Sequence, residues 1–116
     1  MEDRLARISK KAISFRDERD WEQFHDPKNL SEAICIESGE LLEKFLWKTA
    51  EESRTPDEAL LCDIKEEVAD VMIFLLYLCD ALNIDLLDAV ENKLKLNQGK
   101  YPEGKARGTS KKYTEL

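Results

Sequence analysis

The stretch ALLCDIKEEVADVMIFLLYLCDA, residues 59–81, decides the fold of this chain. Leu60, Ile64, Val71, Leu75, Leu78 and Leu82 recur at steps of three, four and seven, the period of an α-helix rather than the alternation of a strand. From Val71 to Leu78 the run is nearly continuously apolar, so this helix must be covered on most of its sides. In a chain of 116 residues that requirement points to a subunit interface in addition to packing within the chain. Just upstream, Thr55-Pro56-Asp57-Glu58 reads as an N-cap, a proline at the first helical position and a capping glutamate.

Working outward, the same period predicts three more long helices. One spans about Asp3 to Arg19 and carries Leu5, Ile8, Ala12 and Phe15. Residues 20–28, with Trp21, Phe24, His25 and Pro27, read as a structured loop, because proline disfavours helix at the residue before it. Asn29, with Glu32 three residues on, is the expected N-cap of a helix reaching about Lys48. Gly39 in its middle costs helix stability and hints at close approach by a ligand or another backbone. Asp85 caps a last helix through about Gln98, with Leu86, Val90 and Leu94 facing inward and Gly99 ending it. The expected architecture is all-α, a four-helix bundle over residues 1–98, followed by a basic, flexible tail over 99–116. That tail is either solvated or ordered by ligand, its lysines closing over phosphates.

Composition narrows the functions. With 42% hydrophobic and 37% charged residues and only three prolines and four glycines, the chain suits a helical domain. A net charge of −7 and a pI near 4.8 repel a nucleic-acid duplex, whereas a free polyphosphate remains accessible through bridging metal ions. No apolar run is long enough for a membrane span and the N-terminus lacks the order of a signal peptide, so a cytoplasmic location is expected. Cys35, Cys62 and Cys79 read as reduced core thiols. A single histidine, His25, leaves zinc and a ferritin-like di-iron site without their ligands.

The chemistry lies in two acidic pairs, Glu37 with Glu40 and Glu67 with Asp70. Residues three apart share one side of a helix, so both members of a pair can reach one ion. In a chain with 25 acidic residues chance supplies about five such pairs, which makes spacing alone a weak signal. Their position is more telling. Glu37 falls within the apolar arc of Leu30, Ala33, Ile34, Leu41 and Phe45, and Glu67 falls inside the margin of the stripe described above. A carboxylate facing a core is costly unless something pairs with it, and here that happens on both helices. Four carboxylates with no serine, cysteine or histidine nucleophile motif fit magnesium and phosphoanhydride hydrolysis. A solvated acidic face is the competing reading. Trp21, Phe24, His25 and Trp47 can stack on a base, Trp47 on the same side of its helix as Glu40.

These residues carry a resemblance. Arg19-Asp20-Trp21-Glu22-Gln23-Phe24-His25, then Asn29-Leu30, the run from Glu37 and Glu40 through Glu43 to Trp47, Glu67-x-x-Asp70-Val71, and Asn97 leading to Tyr101-Pro102 resemble the all-α nucleotide pyrophosphohydrolases of the MazG type, dCTP pyrophosphatase-like branch. The resemblance implies cleavage of a nucleoside triphosphate between its α and β phosphates, with Mg²⁺ as cofactor. It implies Glu37, Glu40, Glu67 and Asp70 as metal ligands, with Glu40 holding or deprotonating the attacking water. It matches Trp21 and Trp47 to aromatics of the base pocket, where Phe24, His25 and Phe74 are expected as well, and Lys93, Asn97 and Tyr101 to positions directed at phosphates, with Lys100 of the basic tail expected beside them. It implies a homotetramer built from dimers, or a homodimer. Ala12 stands where the mammalian branch has histidine, and Phe74 where it has tyrosine, so the base pocket is expected to differ. The expected substrate is dCTP or a related pyrimidine nucleotide; a dUTP or dUDP hydrolase of the same fold and a non-catalytic helical interaction module are the alternatives.

Overall fold

The computed structural model describes residues 3–116. Met1 and Glu2, which open the expected 1–98 domain and the N-terminal stretch, lie outside the described residues. Six α-helices follow in order: α1 (Arg4–Glu18), α2 (Pro27–Glu43), α3 (Ala50–Ser53), α4 (Glu58–Leu82), α5 (Leu86–Lys100) and α6 (Glu103–Ala106). Short 3₁₀ turns cover Glu22–Phe24 and Tyr113–Glu115, and no strand occurs among the described residues. The chain divides into two compact units, the first ending at Asn83 and the second being Ile84–Leu116.

Every helix except α6 begins on a side chain that satisfies a backbone N–H left free by the first turn; α6 follows Pro102, which supplies no such cap. Asp3 accepts from Ala6 N at 2.9 Å, Asp57 from Leu60 N at 2.8 Å and Asp85 from Asp88 N at 3.0 Å. Two starts differ from the expectation. The cap of α2 is Asp26, whose carboxylate takes the N–H of Asn29 at 2.9 Å while Pro27 sits at the first helical position. Proline lacks the N–H that the first turn would leave free, so Asp26-Pro27 outcompetes Asn29. The Asn29 side chain instead donates to the carbonyl of Phe24 at 3.1 Å, tying the helix to the preceding turn. Likewise Asp57, not Thr55, caps α4, and Pro56 lies before the cap. Thr49 caps the short α3, which the absence of apolar periodicity had hidden.

The helix ends differ as well. α2 stops at Glu43, five residues short of Lys48, and Trp47 turns into the left-handed region at φ 65°. α5 runs through Gly99 to Lys100, so Gly99 is an interior residue and not a stop. α4 ends as expected near Ala81, on Asn83 in the left-handed conformation with φ 53°. The segment expected to be a flexible tail carries α6 and the terminal 3₁₀ turn.

In the first unit α4 is the central helix. α2 packs along much of it and α1 along less. Leu30 of α2, at 1% exposure, and Leu76 and Tyr77 of α4, at 6% and 3%, are its buried hydrophobic residues. The rest of the α4 stripe is only half-buried, its last member Leu82 is exposed, and Ile36, Leu42, Leu46 and Val68 are more than half exposed. Cys35 and Cys62 are exposed and Cys79 is half-buried, so the thiols are free but the first two are not core residues. Among the described residues no helix is long and apolar enough to cross a membrane.

Gly39 does not answer to a close approach: a Cβ built there meets nothing within 4 Å among the described residues. Gly39→Ala is therefore expected to stabilise the protein by about 0.5–1 kcal/mol through helix propensity. Denaturant unfolding measures this, and a loss of stability would mean that another body packs against α2 at that point.

Candidate functional site

The site begins where α2 and α4 face one another. Glu37, Glu67 and Asp70 each offer an oxygen, and the three oxygens lie within 4.8 Å of one another. All three residues are half-buried, as is Glu40. The Oε2 atoms of Glu37 and Glu67 are shut off from solvent and accept no hydrogen bond within the described structure. A buried carboxylate oxygen without a donor costs on the order of 1–3 kcal/mol or more, so this arrangement calls for a cation or a proton.

The electrostatics say the same. Burial is the main cause that pushes Glu37 up to about 7, aided by a hydrogen bond with Glu40 and by the charges of Glu40, Asp70 and Glu67. Burial also raises Glu67, again with help from a hydrogen bond and charge at Glu40, while Lys44 pulls it back down. Two carboxyl groups share a hydrogen bond only when one of them is protonated. Both raised carboxyls favour a proton in the metal-free cluster, whereas a divalent ion binds the deprotonated form. Hard oxygen donors, closely spaced and unpaired, fit an oxygen-loving cation. Glu40 stands outside the set of three yet touches two of its members. Lys44 is the neighbour that sequence reasoning missed; at four and seven positions from Glu40 and Glu37 it shares their side of the helix, and that spacing was its signal.

Asp70 also lines a cavity of about 450 Å³. Ile8, Lys11, Ala12 and Phe15 of α1 form one wall, Asp70, Ile73, Phe74 and Tyr77 of α4 another, and Trp21 and His25 line it from the connecting segment. Phe15 and Trp21 meet edge-on with ring centroids 5.7 Å apart. His25 lies at 5.0 Å from Tyr77 and 6.2 Å from Phe74. Burial, and then the nearby charge of Arg16, lower the pKa of His25, so its imidazole is neutral at pH 7. Aromatic faces around a space of this size suit a flat heterocycle.

Of the five aromatic residues expected at a base, Trp21, His25 and Phe74 line this cavity. Phe24 does not; it is 59% exposed and contributes its carbonyl to Asn29. Trp47 does not either. Because α2 ends early, Trp47 leaves the side of the helix that carries Glu40 and stands 93% exposed. Phe15 and Tyr77 were missed as lining residues, although Tyr77 follows Phe74 by three and Asp70 by seven on the same helical stripe.

The residues expected at phosphates belong to the second unit. Lys93, Asn97 and Lys100 recur at four and three along α5, Asn97 half-buried and both lysines exposed. Tyr101 follows as the helix cap, its N–H donating to the carbonyl of Asn97 at 2.7 Å. The Tyr101 ring meets Tyr113 edge-on at 5.9 Å, and Lys100 Nζ sits 4.9 Å from the Tyr113 ring.

Comparison with known proteins places these features. A family model described as the MazG-like family matches residues 33–116, a span that includes all four acidic residues. The chain is 43% identical to dCTP pyrophosphatase 1 of Homo sapiens, over 97% of this chain and 67% of the relative. It is 40% identical to dCTP pyrophosphatase 1 of Mus musculus, with the same coverage. A crystal structure of a pyrophosphatase from Archaeoglobus fulgidus superposes with a TM-score of 0.80 at 37% identity, covering 88% of this chain and 95% of that one. An all-helical fold shared at that level, and a family match over most of its length, lead to one conclusion: the chain belongs to the MazG-like family.

Proposed function

We propose that this protein is a magnesium-dependent nucleoside triphosphate pyrophosphohydrolase that acts on dCTP or a closely related pyrimidine nucleotide in the cytoplasm. Water adds across the phosphoanhydride between the α and β phosphates, giving the monophosphate and pyrophosphate. The observation that carries this reading is the double placement of Asp70, which belongs to the carboxylate cluster and also lines the aromatic cavity. A base held in the cavity sets its phosphates toward the carboxylates. The names of the relatives support the same substrate class.

Glu37, Glu67 and Asp70 would hold the ion, which when bound supplies positive charge to the phosphate oxygens and lowers the pKa of a bound water. Glu40, hydrogen-bonded to the cluster but outside the set of three, is the group we assign to holding or deprotonating the attacking water. Trp21, His25 and Phe74 position the base through their rings. Lys93, Asn97, Lys100 and Tyr101 of the second unit are the donors we assign to phosphates. Trp47 and Phe24 serve the base only when something covers them. The exposed apolar positions of α2 and α4, too many for so thin a core, support a homo-oligomer in which a second copy does so.

Turnover of a panel of nucleoside triphosphates with Mg²⁺ tests the reaction. Monophosphate and pyrophosphate are the expected products, with dCTP ahead of dUTP and the purine nucleotides; orthophosphate as the product, or inertness across the panel, would sink the proposal. Glu67→Gln is expected to lower kcat/KM by about a hundredfold or more while the fold is retained, because it removes one ligand together with one of the crowded negative charges. Full activity in this variant would take Glu67 out of the metal site.

The proton on Glu37 gives a pH dependence. Its folded pKa of about 7 lies above the ordinary value of 4.5, so its contribution to metal-free stability is present at low pH and is lost as pH rises through about 7. A metal ion binds the deprotonated form, so Mg²⁺ is expected to raise the unfolding midpoint more at pH 8 than at pH 6. Equal shifts at the two pH values would rule out competition between proton and metal at this cluster.

A further inference from the structure

Tyr77 is 3% exposed, yet it lines the cavity. Its hydroxyl donates to the backbone carbonyl of Ala12 at 2.8 Å, across from α4 to α1. Its ring faces His25 at 5.0 Å with the planes tilted by 33°, and meets Phe74 edge-on at 6.2 Å. Behind it, the Arg16 guanidinium stands 5.8 Å from the ring centroid. Arg16 is itself buried and donates to Asp80 at 2.9 Å, a second polar tie between the same two helices. Both ties lie toward the C-terminal end of α4, away from the carboxylates.

From this geometry we infer that Tyr77 is a positioning residue that sets the depth of the aromatic cavity and thereby the size of the base it admits. The inference rests on the proposed nucleotide reading of the cavity. α1 packs on α4 over a shorter length than α2 does, so the distance between the two cavity walls depends on the polar ties that bridge them. The hydroxyl of Tyr77 is committed to Ala12, which holds the ring upright as an end wall. His25 packs on that wall and is held in place by it. A single-ring base seated between the walls reaches Tyr77, whereas a two-ring base requires the wall to give. Arg16 and Asp80 act at the same end of the helix pair but do not line the cavity, so they serve as the structural control.

Tyr77→Phe keeps the ring and removes the tie. For dCTP, KM is expected to rise about three- to tenfold, the worth of one hydrogen bond, with kcat retained because the carboxylates sit elsewhere on α4. For dATP, KM is expected to rise less or to fall, so that the preference for the pyrimidine narrows by a similar factor. Asp80→Asn weakens the neighbouring ion pair without touching the cavity, and is expected to lower the unfolding midpoint while the dCTP to dATP ratio of kcat/KM stays as in the wild type. An unchanged ratio in Tyr77→Phe overturns the inference. So does an equal narrowing in Asp80→Asn, which would show a general loosening of α1. A wild-type protein that hydrolyses none of these nucleotides removes the reading on which the inference rests, and that result is distinct from wild-type turnover with an unmoved ratio.

Discussion

Three carboxylate oxygens held within 4.8 Å of one another, two of their carboxylates with an oxygen closed to solvent, are the constraint on which the rest of this structure depends. Like charges so close in a partly apolar seam repel strongly, and only a proton or a cation relieves them. The rise of Glu37 to about 7 is the measure of that repulsion and of its burial. The cluster lies where α2 and α4 meet. Glu37 of α2 faces Glu67 and Asp70 of α4, so the packing that buries Leu30, the most deeply buried side chain, must also hold these carboxylates together.

The cost of building a site into the main helix contact is visible in the core. Leu30, Leu76 and Tyr77 are the buried hydrophobic residues among those described, and the apolar stripe of α4 is otherwise half-covered. Small domains bury a modest share of their surface at best. Polar ties therefore carry unusual weight here: the buried Arg16 meets Asp17 and Asp80 at 2.9 Å, and the Tyr77 hydroxyl meets Ala12. Of these, the Tyr77 tie is made by a residue that lines the cavity, as Asp70 of the acidic cluster does, while the Arg16 ion pairs lie outside the lining.

The parts of the sequence that were legible are those governed by periodicity and by local chemistry. α1, α4 and α5 lie within a residue or two of their expected bounds, because apolar spacing and the residue types at the caps point the same way. Errors arose where two local signals competed. Asp26 and Asn29, three residues apart, are both residue types that cap, as are Thr55 and Asp57, two apart, and only the backbone conformation at each decides between them. Gly99 carried a stop signal that α5 overrides, and Gly39 carried a hint of close contact where there is open space. Trp47 shares the face of Glu40 only if α2 continues, and its backbone at φ 65° ends that continuity.

By itself the sequence determined the helical class, the length of α4 and the two acidic pairs, because a 3.6-residue period and a three-residue spacing are properties of one helix at a time. It also carried the motif that marks the MazG-like family. Only the tertiary structure decided which carboxylates converge: Glu37, Glu67 and Asp70 come together, with Glu40 beside them and Lys44 at the edge. Only it showed that Asp70 belongs to two features at once, and that Tyr77 reaches across to Ala12, 65 positions earlier in the chain. Those facts depend on how two helices are turned about their axes and set against each other. No local period encodes that rotation; it is fixed by packing between residues far apart in the chain.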